Sequence, residues 1–234
     1  MKMILQKLIA HSGYCSRRQA DDLIRNGRVK VNGKIAIIGD QADIEVDKIM
    51  IKNFLISKDA EKIYLKLNKP LGYTCTNRSF PGEKNIFDLI KIPERLFAVG
   101  RLDKESSGLI LLTNDGDLAQ KLAHPSFKHD KVYQVRIKGE FRKGDLIAKK
   151  LMSGVDIGEG DGICKARNAK YIDNNLFLIT LNDGKKRQIR RMFKAVDLMV
   201  DDLRRTNLAG LALGTLKEGT WAYLSKEEIK ELTK

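Results

Sequence analysis

The sequence has few of the residues that build disulfide frameworks and metal centres. It contains three cysteines and three histidines among 234 residues. The cysteines are odd in number and lie far apart, at Cys15, Cys75 and Cys164, which argues against both a disulfide framework and a zinc cluster. The histidines show no metal-ligand spacing either. We therefore expect no structural metal in this chain.

Long apolar runs are lacking as well. No stretch approaches the roughly 20 consecutive apolar residues that are needed to span a bilayer. The first residues, MKMILQKLIAHSGYCSRRQ, are too polar to form a signal peptide. We therefore expect a cytoplasmic protein without a membrane partner. A hydrophobic content of 42% still suffices for one large domain, or for a small domain followed by a medium one.

Acidic residues are outnumbered by basic ones. Asp and Glu total 30 against 44 Lys and Arg, which gives a net charge of +14 and a sequence pI near 9.6. Such an excess favours a polyanionic partner, either a nucleic acid or an acidic membrane surface, and charge alone does not distinguish them. The excess is concentrated at residues 1–34, which hold eight basic residues and two acidic ones.

The first segment has the pattern of a small mixed domain. Apolar residues between Ile4 and Ile24 follow helical spacing, which HSGYCS interrupts, so the pattern predicts helix, turn, helix. Gly13 is typical of a helix C-terminus and Ser16 of an N-cap. The following NGRVKVNGKIAIIG predicts two strands joined by a tight hairpin at Asn32–Gly33.

A second, larger domain follows. The stretch 52–62, KNFLISKDAEK, has mixed polarity and no period, so we place the first domain at 1–52, a linker at 53–61 and the second domain at 62–234. Beyond Tyr64–Leu67, apolar pieces typical of strands lie at 96–100, 109–112, 132–137 and 176–181. Helical patterns lie at 117–123, 143–152, 185–196 and 226–232, the last with Ser225 as its N-cap. Because strands and helices do not alternate regularly, the pattern favours an α+β fold over a doubly wound one.

Basic residues cluster on the predicted helix and hairpin of the first domain. They are Arg17, Arg18 and Arg25 on the helix, and Arg28, Lys30 and Lys34 on the hairpin. Such a cluster can bind the phosphates of RNA or DNA. The alternative is an ordinary solvated basic face.

One acidic residue of the second domain, Asp103, lies in an unusual context. It follows GRL and precedes KESSGLILLTNDGD, which places the acid in a loop immediately before a buried strand. A carboxylate beside an apolar wall needs a cation, and Arg101 or an arginine from elsewhere in the chain can supply it. The alternative is that Asp103 caps a turn or forms a structural ion pair.

A basic segment lies at 185–194, KKRQIRRMFK, with six basic residues and no acid. On a helix that begins after NDG, the apolar residues share one face, namely Ile189, Met192, Phe193 and Val196. Arg190 then lies beside this buried face, whereas Lys186 and Lys194 point to solvent. The alternative is a generic basic patch, which requires no arginine beside the apolar face.

Two parts of the chain resemble known families. A resemblance to the small RNA-binding domain named after ribosomal protein S-four is carried by LQKLIAHSGYCSRRQADDLIRNGRVKVNGK and implies binding to structured RNA. A resemblance to the pseudouridine synthases of the RsuA family, which modify uridines in ribosomal RNA, extends over almost all of residues 62–223. It is carried, in order, by LNKPLGY, VGRLDKESSGLILLTNDGDLAQKLAHPSFKHDKVYQV and LNDGKKRQIRRMFKAV. It implies a catalytic domain with a mixed, mainly antiparallel sheet flanked by helices.

The resemblance also implies roles for five residues. Asp103 would be the catalytic aspartate, and Arg190 the basic residue that pairs with it. Ile189 would be an apolar neighbour in the active site, and Arg101 would help to extrude the target nucleotide. Tyr133 would place its ring against the target base, although without the motif a tyrosine in a strand is more often simple core. We further expect three basic residues to face outward toward phosphate, namely Lys186, Arg187 and Arg191.

The predicted activity is the conversion of a ribosomal RNA uridine to pseudouridine. The base–sugar C–N bond breaks, the uracil turns and its ring carbon five joins the sugar; because there is no net redox change or group transfer, no cofactor is required. We expect a monomer acting on large-subunit RNA, with small-subunit RNA as the alternative. Two rival interpretations are a non-catalytic RNA-binding or ribosome-assembly protein and a nucleotide-binding enzyme that holds phosphate at GLILLTNDGD.

Overall fold

The computed structural model describes residues 2–56, 61–78, 80–139 and 143–233. The chain divides into two compact units. The first consists of Met1–Ile63 together with Ile92–Phe97 and Thr113–Gly116, and the second consists of the remaining segments between Tyr64 and Lys234. Two segments from the middle of the sequence therefore belong to the first unit. The sequence predicts only a single boundary, at the linker, between the two domains.

The first unit contains two helices and two small sheets. The helices are α1 (Leu5–His11) and α2 (Arg17–Arg25). A pair of short strands is formed by β1 (Met3–Ile4) and β4 (Gln41–Ala42). A four-stranded antiparallel sheet, in the order β3-β2-β5-β6, is formed by β2 (Val29–Val31), β3 (Lys34–Ile35), β5 (Ile49–Ile51) and β6 (Phe54–Leu55).

Local signals in this unit act as the sequence predicts. The Ser16 hydroxyl accepts a hydrogen bond from the Gln19 amide, and the Gln19 side chain accepts one from the Ser16 amide, so a capping box begins α2. Gly13 follows α1 with a φ of 79°, a left-handed conformation that favours glycine. Asn32 and Gly33 both have positive φ, which gives the tight turn between β2 and β3.

The predicted linker at 53–61 differs from the structure. Phe54–Leu55 is a strand paired with β5, and Ile56 is buried in the core of the first unit. Residues 57–60 lie outside the described residues. A two-residue edge strand is too short to show a period of its own, and this one forms a tight hairpin with β5 across the two residues between them.

The larger sheet has nine strands and carries four helices. Its strands are β7 (Tyr64–Lys69), β8 (Phe97–Val99), β9 (Ser107–Thr113), β10 (Lys131–Ile137), β13 (Asn168–Asp173), β14 (Leu176–Leu181), β15 (Val200–Leu208), β16 (Leu211–Ala212) and β17 (Trp221–Tyr223). A separate pair is formed by β11 (Val155–Asp156) and β12 (Ile163–Cys164). The helices are α3 (Gly116–Ala123), α4 (Gly144–Ser153), α5 (Gln188–Lys194) and α6 (Lys226–Thr233).

The sheet is mixed and mainly antiparallel. Its order is β13-β14-β10-β15-β9-β7-β17, with β16 beside β15 and β8 beside β9. Four neighbouring pairs are antiparallel, namely β13 with β14, β14 with β10, β10 with β15, and β17 with β7, whereas β15 and β9 run parallel. The α+β fold with a small first domain and a mixed, mainly antiparallel sheet in the second is thereby confirmed.

The parallel contact between β9 and β15 depends on a glycine. Gly108 has a φ of +101°, and a Cβ at this position would lie 2.2 Å from the carbonyl oxygen of Arg205. The two backbones approach too closely for any side chain at this point. Because β9 directly follows the loop that holds Asp103, this close pairing fixes where the loop ends.

Two elements of the larger sheet differ from their prediction. The helix predicted at 185–196 begins only at Gln188, because Arg187 adopts a left-handed φ of 51°. The strand β15 was not predicted, since charged residues occupy four of its positions, namely Asp201, Asp202, Arg204 and Arg205. By contrast, Gly108–Thr113 is a fully buried part of β9, which removes the rival interpretation of this segment as a phosphate-binding loop.

No helix in the described part of the chain is both long and apolar enough to cross a membrane. The cysteines Cys15, Cys75 and Cys164 are buried and free. Within the described residues, no group of three or more His, Cys, Asp or Glu side chains is placed to hold a metal ion.

Candidate active site

Asp103 lies in the loop between β8 and the buried strand β9, half-buried at the wall of a cavity. Its own carbonyl accepts a hydrogen bond from the Ser106 amide at 3.0 Å. The next three carbonyls, of residues 104 to 106, each accept a hydrogen bond from a group outside the loop. The backbone that carries the carboxylate is therefore held at consecutive points.

Lys69, at the end of β7, supplies part of this support. Its side chain is fully buried, and its Nζ donates to the carbonyl of Ser106 at 2.6 Å and to that of Pro70 at 3.0 Å. Burial lowers the pKa of the Lys69 ammonium, and nearby groups, Cys75 and Asp103 first among them, oppose that shift. Its full burial and its contacts to backbone carbonyls support a structural role for Lys69 rather than contact with RNA.

Arg190 holds the middle carbonyl of the same loop. Its Nη2 donates to the Glu105 carbonyl at 2.6 Å, and its Nη1 donates to the Val200 carbonyl at 3.1 Å. Among the described side chains, Arg190 forms no salt bridge with Asp103, which differs from the direct pair that the family resemblance implies. Its two Nη atoms are directed at backbone carbonyls instead, and its Nε is buried with no hydrogen-bond partner among the described residues.

The charges of Arg190 and Asp103 nevertheless interact. Burial, followed by the charge of Arg187, lowers the pKa of the Arg190 guanidinium. The carboxylates of Glu105 and Asp103 oppose this shift. The two charges therefore interact through space, and Arg190 also holds the backbone of the loop at Glu105.

The cavity has a volume of about 310 Å³. Asp103, Tyr133 and Ile189 all line it. Tyr133 is buried on β10 and Ile189 is buried on α5. The wall also includes three predicted RNA-contact residues, namely Arg101, Lys186 and Arg187. Arg190 and Arg191 are not among the described residues that line the cavity. The cavity therefore brings together the other predicted residues of the second domain, but not these two arginines.

The helix α5 is seated by its apolar face. Phe193 is fully buried and packs edge to face on Phe177 of β14, with ring centroids 5.2 Å apart. Gln188, also buried, donates from Nε2 to the Asp183 carboxylate at 2.8 Å and accepts from the Lys185 amide. These contacts fix the start of the helix, so Ile189 in its first turn faces the cavity.

Basic residues near α5 divide into two kinds. Lys186 and Arg187 are exposed, and Arg187 forms a salt bridge of 2.6 Å with the Glu105 carboxylate. Arg191 was expected to face outward toward phosphate, but its guanidinium donates to the carbonyls of Ile157 and Gly158 and to the Asp161 carboxylate. These contacts hold the turn between β11 and β12 and leave its side chain 11% exposed, so the prediction for Arg191 is wrong in orientation.

Two cations of the cavity were not predicted. Arg205, on β15, is 2% exposed and donates from Nε to the Leu109 carbonyl at 2.8 Å. Lys131 lies two positions before Tyr133 on β10 and donates to the Asp183 carbonyl at 3.1 Å. Burial, followed by the charge of Arg205, lowers the pKa of the Lys131 ammonium. The sequence offers one signal for Arg205. It lies two positions after Leu203, so on a strand the two side chains point to the same face.

The predicted RNA-binding residues of the first unit lie at its surface. All five side chains are exposed, namely Arg17, Arg18 and Arg25 on α2, Arg28 before β2 and Lys30 within it. Their exposure leaves the charges free to meet a polyanion, as phosphate contact requires.

Comparison with known proteins gives two family matches along the chain. A match to the S4 domain covers residues 5–39, and a match to RNA pseudouridylate synthase covers residues 63–195. Ribosomal large subunit pseudouridine synthase B of Bacillus subtilis (strain 168) is 37% identical over 97% of this chain and 94% of its own length. Dual-specificity RNA pseudouridine synthase RluF of Salmonella typhi is 38% identical over 98% of this chain and 78% of its own length.

A solved structure extends the likeness to the fold. A crystal structure of a pseudouridylate synthase matches with a TM-score of 0.71 and 29% identity, and the match covers 98% of this chain and 99% of that one. The family match spans more than half of the sequence, and it contains Asp103, Tyr133 and Ile189, which meet at one cavity. The chain therefore belongs to the RNA pseudouridylate synthase family.

Proposed function

We propose that this enzyme converts a uridine of large-subunit ribosomal RNA to pseudouridine, with Asp103 as its catalytic carboxylate. The observation that carries the proposal is the convergence of Asp103, Tyr133 and Ile189 on one cavity of about 310 Å³. This volume lies at the lower end of the roughly 300–1,000 Å³ that is typical of small-molecule sites, and it suits one extruded base. The name of the Bacillus subtilis relative supports the large subunit over the small one.

The proposed reaction begins with extrusion of the target nucleotide. A uracil stacked within a helix cannot turn, and removing it from the stack costs about a few kcal/mol. Phosphate contacts from the exposed arginines of α2 would offset this cost. Arg101 is exposed and lines the cavity, so it is suited to occupy the place that the nucleotide leaves.

Inside the cavity, a carboxylate and an aromatic ring would act on the same base. Ionised Asp103 either attacks the sugar or the ring, or stabilises the charge that develops as the C–N bond breaks. The face of Tyr133 would retain the freed uracil while it turns, with Ile189 as an apolar neighbour. Arg190 would serve as a positioning residue, because its Nη2 holds the Glu105 carbonyl in the loop that carries Asp103.

The test replaces Asp103 by asparagine, which keeps the size of the side chain and removes its charge. We expect Asp103→Asn to bind large-subunit RNA with unchanged affinity and to form no pseudouridine, as measured by carbodiimide labelling of the treated RNA. Asp173→Asn, at an exposed position of β13, is the matched control and should retain full activity. Pseudouridine formation by Asp103→Asn would contradict the assignment, and inactivity of the unaltered enzyme on every ribosomal RNA would favour a non-catalytic RNA-binding protein.

Two further expectations belong to the same proposal. A single chain carries both the basic surface of the S4 domain and the cavity, so no second copy is needed for the reaction and we infer a monomer. Ribosomal RNA as the substrate implies action in the cytoplasm.

A further inference from the structure

A buried arginine in the cavity wall lacks part of its hydrogen bonding. Arg205 lines the cavity and is 2% exposed. Its Nε donates to the Leu109 carbonyl, while its Nη2 is buried and has no hydrogen-bond partner among the described residues. A buried guanidinium with an unused donor is unfavourable unless a ligand or a water supplies the acceptor. Because Arg205 lines the cavity, a ligand that enters the cavity is placed to supply it.

The position of Arg205 is fixed on two sides. In the register of β10 and β15, Arg205 lies directly opposite Tyr133, so the two side chains are neighbours on one face of the sheet. The Leu109 carbonyl of β9 holds the guanidinium from the other side. The aromatic ring of Tyr133 and the guanidinium of Arg205 therefore lie side by side. A planar base that enters the cavity would meet a ring to stack on and a donor for its carbonyl oxygens.

The reaction creates a need for such a donor. When the C1′–N1 bond breaks, its electron pair stays with the uracil ring, and the negative charge spreads over N1 and the carbonyl oxygens O2 and O4. Donors that are fixed in advance, in a site from which water is excluded, stabilise such developing charge most strongly. Lys131, in the same wall, adds a second positive charge.

We propose that Arg205 is a further catalytic residue, whose Nη2 donates to a carbonyl oxygen of the target uracil and stabilises the anionic ring. The inference rests on the proposed function. The electron pair that remains on the ring is used to form the C5–C1′ bond. The proton on C5 is then removed and N1 takes up a proton, so that the product is neutral and no proton is gained or lost overall. Arg205 keeps its own proton throughout, because a guanidinium is not deprotonated in proteins, so it acts only as an electrostatic donor.

The first experiment replaces Arg205 by lysine, which retains the charge but not the planar fork of donors. Single-turnover rates and RNA affinities are measured on one RNA that contains the target uridine. We expect the rate to fall on the order of 10²–10³-fold, with unchanged RNA affinity. Arg204→Lys, the neighbouring position whose side chain alternates to the other face of β15, is the control and should keep the rate of the unaltered enzyme.

A second experiment separates a contact to the base from a purely structural role. The target uridine is replaced by 2-thiouridine or 4-thiouridine, because sulfur accepts hydrogen bonds weakly. At the oxygen that Arg205 contacts, sulfur should slow the unaltered enzyme more than it slows Arg205→Lys or Arg205→Met, and the difference between the two penalties measures the contact. If both thio penalties are the same in the unaltered enzyme and in either folded variant, the inference is overturned.

The outcomes distinguish this inference from the proposed function. An unaltered enzyme that is inactive on ribosomal RNA would remove the proposed function itself. An active unaltered enzyme together with a fully active Arg205→Lys would remove only the role of Arg205. Thermal melting shows which of the two variants is folded, and the thio comparison is made with that variant.

Discussion

Replacing Gly108 by alanine tests how much stability depends on the close contact of β9 and β15, the strands beside the loop that carries Asp103. The new Cβ would lie 2.2 Å from the Arg205 carbonyl oxygen, and because carbon and oxygen atoms meet at roughly 3.5 Å, β15 would have to retreat by about 1 Å. The positive φ adds about 1–2 kcal/mol for a residue with a side chain. Overpacking against a backbone adds about 1–3 kcal/mol.

The predicted loss in the free energy of unfolding is therefore about 2–5 kcal/mol, a large part of the roughly 5–15 kcal/mol that a domain has. Urea denaturation followed by fluorescence of the single tryptophan, Trp221, measures it. Gly214→Ala is the matched control, because Gly214 also has a positive φ, of +63°, but open space where a Cβ would stand. The reasoning is refuted if Gly108→Ala costs no more than Gly214→Ala.

Two further predictions concern the basic residues. Arg17→Ala combined with Arg18→Ala should weaken RNA binding and reduce the slope of log affinity against log salt by about 2, since each lost phosphate contact removes about one; an unchanged slope between 50 and 200 mM salt would contradict RNA anchoring by α2. Arg191→Ala should lower the free energy of unfolding by about 1–3 kcal/mol, because the carbonyls of Ile157 and Gly158 lose their donor, and it should leave the salt slope unchanged. Lys186→Ala, at an exposed position, should reduce the salt slope and leave the free energy of unfolding unchanged. If both variants change the same quantity, the structural role of Arg191 and the RNA contact of Lys186 are not distinguished and the assignment is contradicted.

Elements governed by local chemistry could be predicted from the sequence. The capping boxes at Ser16 and Ser225 place their partners within three residues, so the start of each helix is encoded beside it. The hairpin at Asn32–Gly33 likewise needs only two residues with positive φ. These signals depend on no distant part of the chain, and the structure confirms them.

Elements that depend on distant partners could not be predicted. The strand β15 contains a buried arginine, and a reading of polarity assigns charged residues to the surface, although the Leu109 carbonyl accepts from this one. Arg191 repeats this error on α5, because its acceptors lie in a turn some thirty residues earlier. The motifs identify Asp103, Tyr133 and Ile189. Arg205 lies outside those motifs, and its place in the cavity depends on the pairing of β15 with β10 and on the Leu109 carbonyl of β9.

The row of supported carbonyls behind Asp103 has a consequence for how substrates are selected. Lys69, Arg190 and the Gly72 amide anchor the backbone at three successive residues, so the loop that carries the Asp103 carboxyl is held in place when a nucleotide arrives. Adjustment should then come mainly from the RNA. A uridine in a bulge or a hairpin loop, which leaves the stack at little cost, should be preferred over an identical uridine in a duplex. The deformability of the RNA strand then contributes to which uridine is selected.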